Sequence, residues 1–225
     1  MSEIKKALSP LRVNPQPTLK IEKSARMRAA ILSAALEFVW SHPFRDMTVN
    51  ALMASTGRSR SAFYQYFKDL DEVMETLLGT LEDEIFEVSA PWTTGVGDPV
   101  ALMHETFVRL IHLCHERGPF LRAFTAAAAA DERFEKSWGQ FLGQFDDATS
   151  ARIEADQAQG LIPGFDVRPV AIALTRLNAS TIIEAFGQRP RRQPEPVRES
   201  LARIWISTLY GSEWLGNESS DLVRT

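Results

Sequence analysis

Arg58, Arg60, Ser61 and Gln65 stand within one short stretch and carry the side chains best suited to reading a nucleic-acid groove. The arginine fork matches the O6 and N7 edge of guanine, and the glutamine amide suits adenine. Other residues able to do chemistry are few. The four histidines are His42, His104, His112 and His115, and the last three cluster with Glu105 and Glu116. The pair His112-x-x-His115 can hold a metal on a helix face, but such pairs recur by chance in helices. Neither a complete ligand set nor a nucleophile with its base accompanies it. No metal, cofactor or catalytic residue is assigned, and a metal-dependent enzyme is the weakest alternative. Cys114, the single cysteine, sits in an apolar helical stripe and is expected to pack rather than react.

To act on a groove, the cationic stretch needs a rigid mount. Thr48 is a plausible N-cap for a short helix over Val49–Ser55 that turns Leu52 and Met53 inward. Gly57 can adopt the left-handed conformation of a sharp turn. Ser59 can then cap a second helix that reaches Tyr64 or Tyr66. Two short helices around a glycine make a helix-turn-helix, whose second helix enters the major groove. Phe63 and Phe67 are expected in the core. Before this unit, Ile31, Leu32, Ala35, Leu36, Phe38 and Val39 recur at helical spacing, so a helix spans Ile21–Trp40 and stops at His42-Pro43. Arg26 and Arg28 lie near its start, where cations oppose the helix dipole, which hints at a partner outside the protein.

Charge follows the same division. Residues 1–70 hold 11 Lys/Arg against 5 Asp/Glu, a net of +6, whereas the remainder holds 14 against 24, a net of -10. A basic first third on an acidic body suggests a nucleic-acid module joined to a part with another task. Residues 1–20 read as a flexible arm whose Lys5, Lys6, Arg12 and Lys20 can meet phosphate or simply solvate a tail. With no run of 18 apolar residues, a membrane span is not expected.

The stretch from Thr48 to Phe67, TVNALMASTGRSRSAFYQYF, strongly resembles the DNA-binding domain of TetR/AcrR-type repressors, most specifically at Phe63-Tyr64-x-Tyr66-Phe67. The resemblance implies that Thr48, Arg58, Ser59, Arg60, Ala62, Tyr64, Gln65 and Tyr66 lie at or near DNA, with Tyr64 on backbone phosphate. Thr56, Arg58 and Leu70 depart from the family pattern. Leu70 replaces a phosphate-touching lysine, so that grip would fall to Lys68 or the arm.

The acidic body reads as helices throughout. A linking helix covers 70–88, with Val73, Leu77, Leu81 and Ile85 at four-residue steps, and Ser89–Gly97 reads as a loop. Asp98-Pro99 opens a helix to Gly118, and Pro119 starts a shorter one to Ala130. A long helix follows over Asp131–Gln159, about 44 Å if continuous. Two last helices lie near Val167–Phe186 and Pro196–Leu215. Between them the linker carrying Arg189, Arg191 and Arg192 is expected on the surface, most simply as a solvated connection.

An excess of apolar groups around a few polar ones suggests an elongated effector pocket. Its candidates are Met103, Phe107, Leu110, Ile111, Cys114, Phe124, Trp138, Phe141, Phe145, Thr149, Asn178, Ile182, Phe186 and Trp205. Ordinary core packing is the alternative for each aromatic. Asn178 stands out, because an amide in an apolar helix must find a partner. Leu174, Leu177, Ile183, Leu201, Ile204, Thr208 and Leu209 are candidates for a dimer face. Residues 174–211 are further similar to the ethionamide-resistance branch of the same family, which implies a hydrophobic channel touching Met103, Leu110, Phe145, Thr149, Asn178 and Trp205. Resemblance also implies that the last two helices of two subunits form an isologous interface.

The expectation is therefore an all-α chain of about nine helices, divided into an arm (1–20), a three-helix DNA-binding head (21–69), a ligand-binding and dimerisation bundle (70–216) and a tail (217–225). Expected partners are double-stranded operator DNA, a second copy of the chain and a small hydrophobic or aromatic effector, with no membrane, in the cytoplasm. A helical adaptor that does not bind DNA is the competing possibility, and it leaves the basic turn unit unexplained.

Overall fold

The computed structural model describes residues 17–211. Its elements are α1 (Pro17–Ser41), a 3-10 turn (Phe44–Asp46), α2 (Val49–Thr56), α3 (Arg60–Phe63), α4 (Leu70–Thr94), α5 (Pro99–Ala128), α6 (Glu132–Ala158), α7 (Val167–Phe186) and α8 (Pro194–Leu209). The protein is all-α, with no strand among the described residues. Lys5, Lys6 and Arg12 of the expected arm, the tail 217–225 and the expected helix end at Leu215 lie outside the described residues. α1 starts at Pro17, four residues before the expected Ile21, and α8 starts at Pro194 and ends at Leu209.

Local sequence sets most helix starts. The side chains of Thr48, Asp69, Asp98 and Asp131 accept from the first free amides of α2, α4, α5 and α6, at 2.9–3.1 Å. Glu72 returns the favour at α4 by accepting from the Lys68 amide at 2.6 Å. Val73, Leu77 and Leu81 form the buried stripe that their spacing predicts.

Two expected breaks are absent. α4 runs on through Pro91 to Thr94, so most of the supposed loop at 89–97 is helix. There the amide of Trp92, next to the proline, donates to Thr106 Oγ1 of α5 at 3.1 Å. α5 likewise runs through Gly118-Pro119 to Ala128, merging two expected helices into one and leaving eight among the described residues. A proline inside a helix removes one amide donor and strands the carbonyl four residues earlier. For Pro119 that carbonyl belongs to His115, and the Arg191 guanidinium donates to it. Gly118 is required beside it, because a Cβ there would lie 2.4 Å from the Phe186 carbonyl oxygen.

Arg191 thereby leaves the solvated role expected of the linker. Its guanidinium also lies over the Trp40 ring at 4.5 Å, with Arg189 over the same ring at 5.1 Å. The connection between α7 and α8 thus grips the end of α1. Phe44 adds an edge contact with Phe134 of α6 at 5.7 Å, and Arg133 pairs with Asp71 of α4 at 2.7 Å. Arg28 is a second correction. Its partners are internal, the Phe67 ring at 4.5 Å and Thr76 Oγ1 at 3.4 Å, so it ties α1 to α4. Arg26 pairs on the surface with Glu22 at 3.6 Å.

Candidate functional site

The head presents its polar residues around one turn. Gly57 has φ 65°, and its amide and that of Arg58 close α2 by donating to Ala54 and Met53 carbonyls. That closure aims the chain from Arg58 to Lys68 outward. Thr48, Arg58, Ser59, Arg60, Tyr64, Gln65 and Lys68 are exposed, while Ala62 and Tyr66 are half-buried. Phe63 and Phe67 are buried beneath them, at 0% and 2% exposure. α3 is only one turn long and continues as turns through Tyr66. Ser59 occupies its N-cap without capping it. Its hydroxyl instead meets that of Ser61 at 2.9 Å. Arg60 donates to the Tyr64 hydroxyl at 3.3 Å.

The body encloses a different kind of site. A cavity of about 850 Å³, counted out to its mouth, lies among α4, α5, α6, α7 and α8. Its walls on α5 run from Met103 to Leu121, about 27 Å of helix. Of the sequence candidates, Met103, Phe107, Leu110, Cys114, Trp138, Phe141, Phe145, Thr149, Asn178, Ile182 and Trp205 line it. Ile111, Phe124 and Phe186 do not, being packed in the surrounding core at 2%, 0% and 0% exposure. Phe124 stacks edge-on against Phe134, and Phe186 against His115.

Five wall residues come from α4: Ile85, Phe86, Ser89, Trp92 and Thr93. Ser89, Trp92 and Thr93 were hidden because Pro91 and two glycines suggested a loop, whereas Ile85 and Phe86 fell within the expected linking helix but were not assigned to the pocket. The signal was present in the spacing Leu81, Ile85, Ser89, Trp92, which extends the earlier stripe at helical steps.

The wall carries no ionised side chain. Asn178 Oδ1 accepts from the Trp205 indole at 2.9 Å, so the amide that the sequence singles out finds its partner within the wall. Thr175 is fully engaged elsewhere, since its hydroxyl donates to buried Asp146, which Arg176 holds in turn through two hydrogen bonds at 3.0 and 2.9 Å. Burial pushes the Cys114 thiol up to about 12, so it lines the cavity as an inert apolar group.

Among the dimer-face candidates, Leu174, Leu201 and Leu209 are buried inside the protomer at 4%, 1% and 0% exposure, so they cannot meet a partner. Ile183 is half-buried and lines the cavity, and Leu177 is half-buried. Ile204 and Thr208 are exposed. Periodicity alone could not separate these, because both sides of the last two helices are apolar or small.

Around His115, the helix cluster serves structure. Its ring pKa is lowered by burial and then by Arg191. Among the described residues no three His, Cys, Asp or Glu side chains converge to hold a metal, and no helix is long and apolar enough to cross a membrane.

Residues 31–77 match the model of bacterial regulatory proteins of the tetR family, and residues 103–211 match that of the C-terminal domain of the transcriptional regulator EthR. By these two matches the protein is a transcriptional regulator that joins a tetR-family N-terminal domain to an EthR-type C-terminal domain. Similar TetR-family relatives include the HTH-type transcriptional regulator EthR of Mycobacterium tuberculosis, 27% identical over 197 residues, covering 81% of this chain and 86% of the relative. Its counterpart in Mycolicibacterium smegmatis is 27% identical over 192 residues, covering 82% and 86%. Among solved structures, a TetR-family regulator from Syntrophomonas wolfei superposes with a TM-score of 0.70 at 16% identity, covering 82% of this chain and 95% of that one. Another from Rhodococcus sp. gives 0.68 at 19%, covering 78% and 95%. With both of its matched domains belonging to transcriptional regulators, the protein is a regulator and not an enzyme.

Proposed function

We propose that this regulator is a repressor that binds a palindromic operator as an isologous dimer and lets go when a neutral lipophilic molecule fills the cavity. The carrying observation is that α4 does two things. It begins at Leu70, directly behind the reading turn, and its far half supplies Ile85, Phe86, Ser89, Trp92 and Thr93 to the cavity wall. A guest that displaces α4 displaces the head. Two heads must sit about 34–36 Å apart to read successive major grooves, so a small change in their separation is enough to lose the second half-site.

The DNA side of the proposal assigns base contact to Arg58, Arg60 and Gln65, and backbone contact to Thr48, Tyr64 and Lys68, with Ser59, Ala62 and Tyr66 shaping the approach. The exposed Ile204 and Thr208, with half-buried Leu177, are left as the dimer-face candidates. The uncharged aromatic wall favours a neutral guest, because an unpaired ion would lose its hydration there without compensation. Action on operator DNA supports a cytoplasmic protein.

The test is binding to a randomised duplex pool and to the DNA upstream of its own gene, at two salt concentrations, with and without N-phenyl-1-naphthylamine as a neutral apolar probe. Selected palindromes, a steep loss of affinity with salt and release by the probe are expected. A dimer that ignores both DNA samples at low salt refutes the DNA assignment. DNA binding indifferent to a bound probe refutes the release mechanism.

A further inference from the structure

The cavity has two unlike ends. Near the head, Leu121 and Trp138 meet it. At the opposite end, beside the turn between α4 and α5, its wall is made by Trp92, Thr93 and Met103. Trp92 is 2% exposed, and it is held from every side. Its indole nitrogen donates to the Tyr210 hydroxyl at 2.8 Å. Its backbone amide donates to Thr106 Oγ1 at 3.1 Å. Its ring meets Trp205 edge-on at 5.6 Å.

What stands behind the ring is a buried polar chain. The Tyr210 hydroxyl donates to Asp156 Oδ2 at 2.7 Å, and Arg152 Nε donates to the same oxygen at 3.0 Å. Arg152 then reaches the Gly95 carbonyl at 3.0 Å, with its guanidinium 5.7 Å from the Trp92 ring centre. The carboxylate and guanidinium are 1% and 9% exposed. Moving the indole would take the donor from the buried Tyr210 hydroxyl that orders this chain and withdraw the ring from beside the Arg152 guanidinium. That cost makes the tryptophan a fixed stop, whereas side chains that meet only apolar neighbours can shift rotamer.

We propose that Trp92 is the specificity-determining residue for guest length, and that Tyr210 is the positioning residue that holds it. The proposal rests on the cavity being the effector site. In chemical terms the guest class is an extended neutral chain whose far end abuts the indole, and chains beyond that limit are excluded rather than accommodated.

A series of straight-chain 2-alkanones displacing N-phenyl-1-naphthylamine tests this. In the wild-type protein, affinity rises about fourfold per added methylene until a limiting length, then falls. Trp92→Ala should leave the shorter ketones unchanged and move the limit longer by roughly two to four carbons, the room vacated by the indole. Tyr210→Phe keeps the ring but removes its acceptor. It should blur the limit, with ketones just beyond it gaining several-fold and shorter ones unaffected, a selectivity that general loosening of the fold would not produce. If Trp92→Ala does not fold, Trp92→Phe carries the same prediction with a smaller displacement.

A limit that stays put in folded Trp92 variants overturns the proposal, as does a wild-type series with no limit at all. Wild-type protein that never takes up the probe instead removes the effector-cavity assignment itself, and this inference with it.

Discussion

The head and the body solve opposite problems. The head exposes its candidate DNA-contacting side chains on a frame of caps, a glycine turn and two buried phenylalanines, so its polar groups lie outside and its packing inside. The body keeps its candidate site inside, and the residues that line the cavity are of the same kinds as those that fill the core around it. Phe141 lines the space and Phe124 does not, though both are buried phenylalanines one helix apart. A site made of protruding polar groups is written in residue types. A site made of missing volume is written in the relative placement of helices.

That contrast can be broken most sharply at Gly57. A Cβ there meets no atom within 4 Å, so the demand is conformational, set by φ 65°. Gly57→Val should cost up to about 3 kcal/mol, and as much as a hundredfold in DNA affinity if the strain falls on the reading turn. Probe uptake by the body, followed by fluorescence, should be unchanged. A parallel loss of probe binding would show that the two regions are not separable.

The reciprocal variant is Ala179→Trp, which fills the cavity without touching the Asn178–Trp205 hydrogen bond. Titration with N-phenyl-1-naphthylamine should show affinity weakened by roughly tenfold or more. Undiminished probe binding would place the guest elsewhere.

Between the two regions lies Arg191. Its replacement by Ala should lower unfolding stability by about 2 kcal/mol, because the His115 carbonyl stranded by Pro119 loses its donor. In a Pro119→Ala background the helix supplies its own amide, so the same replacement should cost about 1 kcal/mol less. Equal costs in the two backgrounds, measured by urea denaturation, would disprove the substitution of one donor for the other.

The smallest expected effect is one of pH. Burial and Arg191 hold the His115 ring below its ordinary value of 6.5, so the unfolded chain takes up its proton first. The stability contributed by this group is complete above that value and is lost as pH falls below it. Between pH 7.5 and 5.5 the melting temperature should drop slightly more in the wild type than in His115→Gln. An identical drop in both would remove His115 from the joint.

How much could be seen in the sequence divides along the same line. Thr48, Gly57 and the phenylalanines of the reading turn were legible because capping, left-handed turns and burial each demand particular residue types close together in the chain. The prolines misled for a physical reason. Pro91 and Pro119 ordinarily end helices, but here Thr106 engages the amide next to Pro91 and Arg191 fills the carbonyl that Pro119 strands. Both partners come from distant segments, which local rules cannot see. The three leucines of the supposed dimer face failed similarly, since a helix with two apolar sides does not say which one turns inward.

One helix gathers several of these features. α7 is pinned at Thr175 and Arg176 by Asp146, and one turn later at Asn178 by Trp205. Beyond that fulcrum, Ile182 and Ile183 border the cavity, and past Gly187 come the two arginines seated on Trp40. A rod held near its middle turns pressure on one arm into travel at the tip. In this molecule the pressure would come from an occupied interior, and the tip is already resting on the part that must move.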